Sequence, residues 1–139
     1  MKVYLAARFT RRDEMRRYAD ELIELGHEVT ARWVVGPPQA SHHPDQVSGH
    51  SRAYEERVSV EDLKDVADAT CIVCFSEQPR RTNTRGGRHV EFGLAVAAQK
   101  RIILVGPREN VFHFLPQVEN FTDWSGVREM LRAETAAVR

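Results

Sequence analysis

The chain has 139 residues, with 20 basic and 20 acidic side chains and a formal net charge of zero. We expect a single soluble domain spanning residues 1–139, because chains that coat nucleic acid or a membrane surface usually carry an excess of positive charge. No apolar run approaches the roughly 18 residues that cross a bilayer, and the first residues do not resemble a signal peptide. A cytoplasmic protein is therefore the expectation, with no nucleic-acid polymer and no membrane among its partners.

The first half of the chain alternates predicted strands and helices. The apolar run VYLAA predicts a buried first strand, and a helix follows, with Thr10 as its N-cap and Gly26 at its end. The run EVTARWVV predicts a second strand. A polar helix from about Ser51 to Asp68 then precedes the strand CIVCF, in which Cys71 and Cys74 point to opposite faces and are expected to be buried and reduced.

The second half continues the alternation. An alanine-rich helix beginning near Gly87 precedes the strand RIILVG, QVENF predicts an edge strand, and a last helix begins near Trp124. This order predicts an α/β fold, a Rossmann-like or flavodoxin-like three-layer sandwich around a mostly parallel five-stranded sheet. Ligands of such sheets bind beyond the carboxyl ends of the strands, so we expect the site there.

Two loops at that edge have unusual compositions. The first, GPPQASHHPDQVSG, and the residue that follows it supply His42, His43 and His50, which are either metal ligands or part of a loop that covers the substrate. Their spacing matches no familiar ligand pattern, so a covering loop without a metal is the preferred interpretation. The second, SEQPRRTNTRGG, is rich in arginine.

Three carboxylates lie at unusual positions in the predicted helices. Glu91 lies near the start of the alanine-rich helix, on one stripe with Leu94, Ala95 and Ala98; it is either an ordinary glutamate favoured by the helix dipole or an ionised, positioned nucleophile. Gly93 beside it indicates either close backbone packing or room for a ligand. Asp62 interrupts the apolar line of Val58 and Val66, and Asp68 ends the same helix; each is either functional or an ordinary surface or capping aspartate.

Over residues 2–107, the order of VYLAARF, EDLKDVADATCIVCF and GGRHVEFGLAVAAQKRIILVGP resembles the nucleoside deoxyribosyltransferase-like family. That family contains base-exchanging transferases and deoxynucleoside monophosphate N-glycosidases. The resemblance implies that Glu91 attacks the anomeric carbon and that Tyr4 orients it. It also implies that Asp62 contacts the sugar hydroxyls or helps to protonate the departing base, with Asp68 as a second acid. Such retaining cleavage needs two acids in one cleft.

The resemblance also implies that no metal or organic cofactor is needed and that the protein forms a homodimer or a higher homo-oligomer. Neighbouring subunits complete the site in that family, so Asn110 or His113 is a candidate to serve the adjacent subunit. Family transferases carry an acidic segment before the glycine turn, whereas this chain has RRTNTRGGR. This departure favours water over a second base as the acceptor.

Basic residues are concentrated around the predicted crevice and favour a phosphate site. They are Arg80, Arg81, Arg85 and Arg88 before and within the alanine-rich helix, and Arg8, Arg11 and Arg12 after the first strand. Thr10, Gly86 and Gly87 add donors at two helix N-termini. The alternative is a solvated surface loop. Further substrate-binding candidates are Phe9, Trp33, which either stacks on the base or lies in the core, and His89, which contacts phosphate, supports Glu91 or is an ordinary surface histidine.

These observations predict a hydrolase of the N-glycosidic bond of deoxyribonucleoside or ribonucleoside 5'-monophosphates that releases the free base. A base-exchanging deoxyribosyltransferase is the first alternative. Other glycoside-splitting enzymes, such as a phosphoribohydrolase or an NAD-cleaving domain, and a non-catalytic nucleotide sensor are the others. The sensor is disfavoured, because a binder has little use for bare carboxylates beside an anionic ligand.

Overall fold

The computed structural model describes residues 1–37, 51–78 and 85–138. Strands and helices alternate through them. The strands are β1 (Lys2–Ala6), β2 (Glu28–Val29), β3 (Cys71–Phe75), β4 (Arg101–Val105) and β5 (Val118–Phe121). The α-helices are α1 (Arg12–Glu24), α2 (Arg32–Val35), α3 (Arg52–Asp68), α4 (Gly87–Ala97) and α5 (Trp124–Val138), and 3₁₀ turns occupy Phe9–Arg11 and Val111–Phe114.

The five strands form one sheet in the order β2-β1-β3-β4-β5, and every neighbouring pair is parallel. The predicted α/β fold is confirmed, and the sheet is parallel throughout. This is the flavodoxin-like order, in which the direction of winding reverses between β1 and β3. Helices α1 and α5 contact each other, as do α3 and α4, so the sheet lies between two helical layers. The crevice expected of this topology lies at the carboxyl ends of β1 and β3.

The central strands are buried on both faces, as their continuous apolar sequences predict. Cys71 and Cys74 are free and buried within β3, in agreement with the prediction. None of the described helices combines the length and the apolar character that crossing a bilayer requires.

Helix boundaries agree with the sequence at most ends. Ser51 caps α3, since its Oγ accepts the Tyr54 N–H at 3.1 Å, and Gly26 follows α1 with a left-handed φ of +93°. The prediction for Thr10 was wrong. A 3₁₀ turn precedes α1 and takes in Thr10, so the helix begins at Arg12 without a side-chain cap.

The second strand is shorter than predicted. Only Glu28–Val29 pair with β1, and Arg32–Val35 form a helical turn. Tertiary contacts override the β-propensity of this segment: an Asp65 carboxylate oxygen accepts the Arg32 N–H at 2.9 Å, and the Trp33 indole donates to the Leu5 carbonyl at 2.9 Å. The Arg12 guanidinium donates to carbonyl groups of the same turn.

Candidate active site

Tyr4 and Glu91 meet at the carboxyl end of the sheet. Tyr4 lies in β1 and is fully buried, and its hydroxyl donates a short hydrogen bond to Oε2 of Glu91. Glu91 lies in the second turn of α4, which packs against both β1 and β3. The pair therefore lies beside the point where the winding of the sheet reverses, which is where a ligand is expected in this topology.

Glu91 lies on the flank of the buried face of α4. The residues of α4 that are buried are Arg88, Phe92 and Ala95, at the i, i+4, i+7 spacing of one helical face, whereas Leu94 is exposed. The predicted stripe was therefore wrong at Leu94 and Ala98, which are exposed, but right at Ala95 and at Glu91, whose carboxylate reaches Tyr4 of β1. The flank position leaves Glu91 partly buried, with one carboxylate oxygen on Tyr4. Gly93 faces open space, so close packing does not explain this glycine.

Burial controls the ionisation of Glu91. Burial is the largest cause and raises the pKa of Glu91, the hydrogen bond from Tyr4 lowers it, and the nearby charge of Asp62 raises it again, so that the pKa is about 8. The sequence-based expectation of a carboxylate ionised at neutral pH was therefore wrong. The stabilisation expected from the helix N-terminus does not outweigh the loss of solvation. The protonated form of Glu91 therefore predominates at neutral pH.

Asp62 is the second acid of the site. It lies in α3, and its pKa is raised to about 6, mainly by burial and also by the charges of Asp65 and Glu61, while Arg32 lowers it. Its charge also raises the pKa of Tyr4 and of Glu91. The structure thus brings Tyr4, Asp62 and Glu91 together, and places two carboxyl groups with raised pKa values in one region.

Asp68 does not join this cluster. It is exposed at the last residue of α3, accepts a hydrogen bond from Lys64 Nζ at 2.8 Å, and lies three residues before β3 begins. That position is at the amino ends of the strands, whereas the expected site lies at their carboxyl ends. The lysine partner lowers the pKa of Asp68, so it is an ionised surface aspartate, and its assignment as a second catalytic acid is corrected.

Asp65 was not singled out from the sequence. It is buried and accepts hydrogen bonds from both the backbone and the guanidinium of Arg32. Asp65 is seven residues after the buried Val58 and three after Asp62. This helical spacing was the available signal that it faces the protein interior.

The arginines that follow β1 are engaged by carboxylates and carbonyls. Arg11 donates two hydrogen bonds to Glu14, at 2.9 and 2.8 Å, and its Nη1 lies 3.7 Å from Glu77. Arg8 lies 3.9 Å from the same Glu77, whose Oε1 is buried without a hydrogen bond. Arg12 holds the turn at α2, as described above. The arginines after β1 are therefore largely engaged by other groups, and Glu77 places a negative charge among them.

Arg88 points into the protein instead of the crevice. It is buried and forms a bidentate ion pair with Glu109, in which the distance from Nη2 to Oε2 is 2.8 Å. Its assignment as a residue that binds substrate directly is corrected, since both terminal nitrogens of its guanidinium donate to Glu109. Glu109 lies in the polar sequence PREN, and nothing in that pattern indicated a buried partner for an arginine 21 residues earlier.

The start of α4 has backbone N–H groups that no side chain of the described residues caps. Gly86 is the N-cap with a left-handed φ of +83°, Gly87 is the first helical residue, and no described side chain caps this end. The first turn of α4 also lacks an acidic residue. An uncapped helix N-terminus of this kind is suited to binding an anion.

The other predicted binding residues have different surroundings. Phe9 is partly buried, with its ring centroid 6.3 Å from that of Trp33, and Thr10 is exposed. Trp33 is a core residue, which was one of its two predicted alternatives. His89 is partly exposed and 3.9 Å from Glu109. Asn110 caps the turn Val111–Phe114 by accepting the Phe112 N–H at 2.9 Å. Arg80, Arg81 and the histidines 42, 43 and 50 lie outside the described residues.

Among the described residues there is no group of three or more His, Cys, Asp or Glu side chains placed to hold a metal ion.

Two solved structures share the fold over nearly the whole chain. One is a 2-deoxyribosyltransferase from the psychrotolerant bacterium Bacillus psychrosaccharolyticus, with a TM-score of 0.68, 20% sequence identity, and coverage of 94% of this chain and 96% of that one. The other is the CMP N-glycosidase of Clostridium botulinum, with a TM-score of 0.60, 20% identity, and coverage of 96% of this chain and 99% of that one. Both neighbours are enzymes, one a deoxyribosyltransferase and the other an N-glycosidase of a nucleoside monophosphate, and the expected fold is confirmed. No protein-family model matches the sequence, and a comparison with curated proteins finds no match.

Proposed function

We propose that this protein hydrolyses the N-glycosidic bond of a nucleoside 5'-monophosphate through a covalent intermediate on Glu91. The observation that carries the proposal is the cluster of Tyr4, Asp62 and Glu91 at the carboxyl end of β1. The fold that the chain shares with a CMP N-glycosidase and a 2-deoxyribosyltransferase supports the same chemistry.

The carboxyl groups of Glu91 and Asp62 have different roles in the proposed reaction. Tyr4 holds Oε2 of Glu91, which leaves Oε1 to attack the anomeric carbon. A bond forms between Oε1 and that carbon, the N-glycosidic bond breaks, and its electron pair leaves with the base. Asp62 in its protonated form supplies the proton that the departing base takes. Asp62, now ionised, then takes a proton from the water that attacks the glycosyl ester and releases the sugar phosphate from Glu91.

The uncapped start of α4 supports a phosphorylated substrate. The donors proposed for the 5'-phosphate are the N–H groups at Gly86–Gly87 and the side chain of Arg8, whose nearest acidic partner among the described residues is Glu77 at 3.9 Å. Hydrolysis is favoured over base exchange because the chain has no acid between Glu77 and Glu91. Base exchange remains the second candidate, since one structural neighbour is a 2-deoxyribosyltransferase.

A homo-oligomer is part of the proposal. Val111, Phe112 and Phe114 are 73, 62 and 67% exposed on one turn, and such an apolar surface is typical of a contact between subunits. Light scattering coupled to gel filtration measures the mass directly. A cytoplasmic location is also proposed, because the free thiols of Cys71 and Cys74 are typical of a reducing compartment.

The function is tested by incubating the protein with deoxyribonucleoside and ribonucleoside monophosphates, with and without an acceptor base, and separating the released bases by chromatography. Base release without acceptor supports hydrolysis, and release only with acceptor supports exchange. In either case we expect Glu91→Gln to lower turnover by about 10³-fold or more, because the nucleophile acts on the chemical step. Full activity of that variant would refute the covalent mechanism.

The phosphate assignment predicts opposite effects for two neighbouring residues. We expect Arg8→Ala to raise KM for monophosphates about 10-fold or more with little effect on free nucleosides, since it removes a charge-assisted donor. Glu77→Gln should lower KM for monophosphates, because Glu77 competes with phosphate for Arg8 and Arg11. Equal effects on nucleosides and monophosphates would show that the phosphate lies elsewhere.

A further inference from the structure

Glu109 joins three segments at the carboxyl end of the sheet. Its carboxylate accepts two hydrogen bonds from Arg88 at the start of α4, and its Oε1 also accepts the backbone N–H of Glu77 after β3, at 2.9 Å. The backbone N–H of Glu109 in turn donates to Nδ1 of the buried His113 at 2.9 Å. Glu109 is thus held in place by its own loop and is connected to both the loop after β3 and α4.

The ion pair with Glu109 lies at the first turn of α4. The helix begins with Gly86–Gly87, and no described side chain caps it. Arg88 is the first residue of α4 whose side chain is buried, and its ion pair with Glu109 joins this turn to the loop after β4. Glu91 follows Arg88 by three residues, slightly less than one helical turn. A shift of Arg88 therefore moves the carboxylate of Glu91 relative to Tyr4.

We propose that Glu109 is a positioning residue for Glu91 and acts through Arg88. The ion pair sets the rotation and the depth of the first turn of α4, so that Glu91 meets Tyr4 and faces the anomeric carbon. This inference rests on the proposed function for its kinetic consequences. It also assigns Arg88 a role in the geometry of the nucleophile, instead of contact with the phosphate.

The test compares Glu109→Gln, which keeps the shape of the side chain and removes its charge, with Glu119→Gln. Glu119 forms a bidentate ion pair of the same kind with Arg101, at 2.8 and 3.0 Å. Arg101 is the first residue of β4, so this pair lies at the amino end of the sheet. We expect Glu109→Gln to lower kcat about 100-fold with a smaller change in KM, because a displacement of about 1 Å costs a rate factor of that size. Glu119→Gln should leave both constants near those of the wild type.

A double-mutant cycle tests whether the effect passes through Arg88. We expect Arg88→Met to lower kcat as Glu109→Gln does, and Glu109→Gln to have little further effect once Arg88 is replaced. Glu109→Asp, which restores the charge, should recover part of the lost kcat. Additive losses in the double variant would overturn the route through Arg88.

Hydrogen exchange separates this inference from the proposed function. The amides of His89 and Val90 both donate to the Gly86 carbonyl in the first turn of α4. Faster exchange there in folded Glu109→Gln, but not in Glu119→Gln, supports the positioning role. Unchanged exchange together with unchanged kcat would overturn it. If the wild-type protein releases no base from any nucleotide, the proposed function fails, and the exchange result still decides whether Glu109 fixes this turn.

Discussion

In the proposed mechanism Glu91 has to lose a proton before it can attack, whereas Asp62 has to keep one before it can assist the leaving base. The structure sets the two pKa values in the opposite order, about 8 for Glu91 and about 6 for Asp62. Near neutral pH the pair holds one proton, mostly on Glu91, and the reactive arrangement is a minor form. A substrate whose anomeric carbon develops positive charge favours the ionised form of Glu91.

We predict a bell-shaped dependence of kcat/KM on pH, with limbs near 6 and 8. Below the lower limb both acids are protonated and no nucleophile exists; above the upper limb both are ionised and no proton donor remains. Tyr4→Phe should move the upper limb to higher pH, because the lost hydrogen bond normally lowers the pKa of Glu91. Initial rates measured from about pH 5 to about pH 10 test this. A profile that stays level through the region near pH 8 would contradict it.

The sequence indicated individual functional residues but not which residues form pairs in the folded protein. Glu91 and Asp62 could be found because an acid within an apolar pattern is conspicuous. The ion pair of Arg88 with Glu109 joins positions 21 residues apart, and no local pattern encodes it. The ionisation of Glu91 could not be predicted either, because it depends on how far burial outweighs a helix end and a tyrosine hydroxyl.

The first turn of α4 is the element on which the site depends most. Gly86 adopts a φ of +83°, a conformation that side chains with a Cβ rarely adopt, whereas Gly87 has no such strain and its added Cβ would meet nothing within 4 Å. The two adjacent glycines therefore provide a matched pair of positions.

We predict that Gly86→Ala destabilises the fold by about 1 kcal/mol and lowers kcat, because the strained cap shifts the turn that carries Glu91. Gly87→Ala should cost little in either respect, since alanine suits a helical position. Thermal unfolding and turnover measured on both variants test the prediction. Equal behaviour of the two would show that the left-handed cap is unimportant.

Predictions of elements succeeded where local signals were strong. Ser51, Gly26 and Gly87 marked real helix ends, and the apolar runs of β1, β3 and β4 marked real strands. The segment EVTARWVV was wrong beyond its first two residues, because Asp65 and Leu5 bind Arg32 and Trp33 from other elements. The local sequence does not show these contacts, so its β-branched residues wrongly predicted a longer strand.

Across the whole molecule, a buried acid with a raised pKa reduces stability as pH rises. In the unfolded chain Glu91 ionises near 4.5, and in the folded protein near 8. Between these values the unfolded state loses a proton that the folded state retains, so the contribution of Glu91 to folding becomes less favourable up to about pH 8 and then stays constant.

We predict that Glu91→Gln raises the melting temperature at about pH 8 by a few degrees and has little effect at about pH 4. The rise corresponds to an increase in the free energy of unfolding on the order of 1 kcal/mol or more. Glutamine keeps an oxygen to accept the Tyr4 hydroxyl and has no charge to lose. Glu129→Gln, at an exposed position of α5, serves as the control and should show no such dependence. A stabilisation that is the same at both pH values would contradict the raised pKa.

The global architecture was the most predictable level. Alternating strands and helices with continuous apolar strands permit few arrangements other than a parallel sheet between helices, and the observed sheet follows that expectation. The same reasoning located the crevice before any side chain was known. The relative positions of Asp62 and Asp68, which lie in the same helix six residues apart, required the structure, because only the charge of Asp62 acts on Tyr4 and Glu91, whereas Asp68 pairs with Lys64.

The hydrogen bond between Tyr4 and Glu91 joins positions separated by 87 residues. During synthesis the tyrosine emerges long before its partner, and α4 has to dock across β1 and β3 before the two can meet. In the proposed mechanism, catalysis therefore requires that this docking is complete. Two fragments that divide the chain between residues 78 and 85 would each carry one member of the pair, and the proposed activity would return only when the fragments recombine.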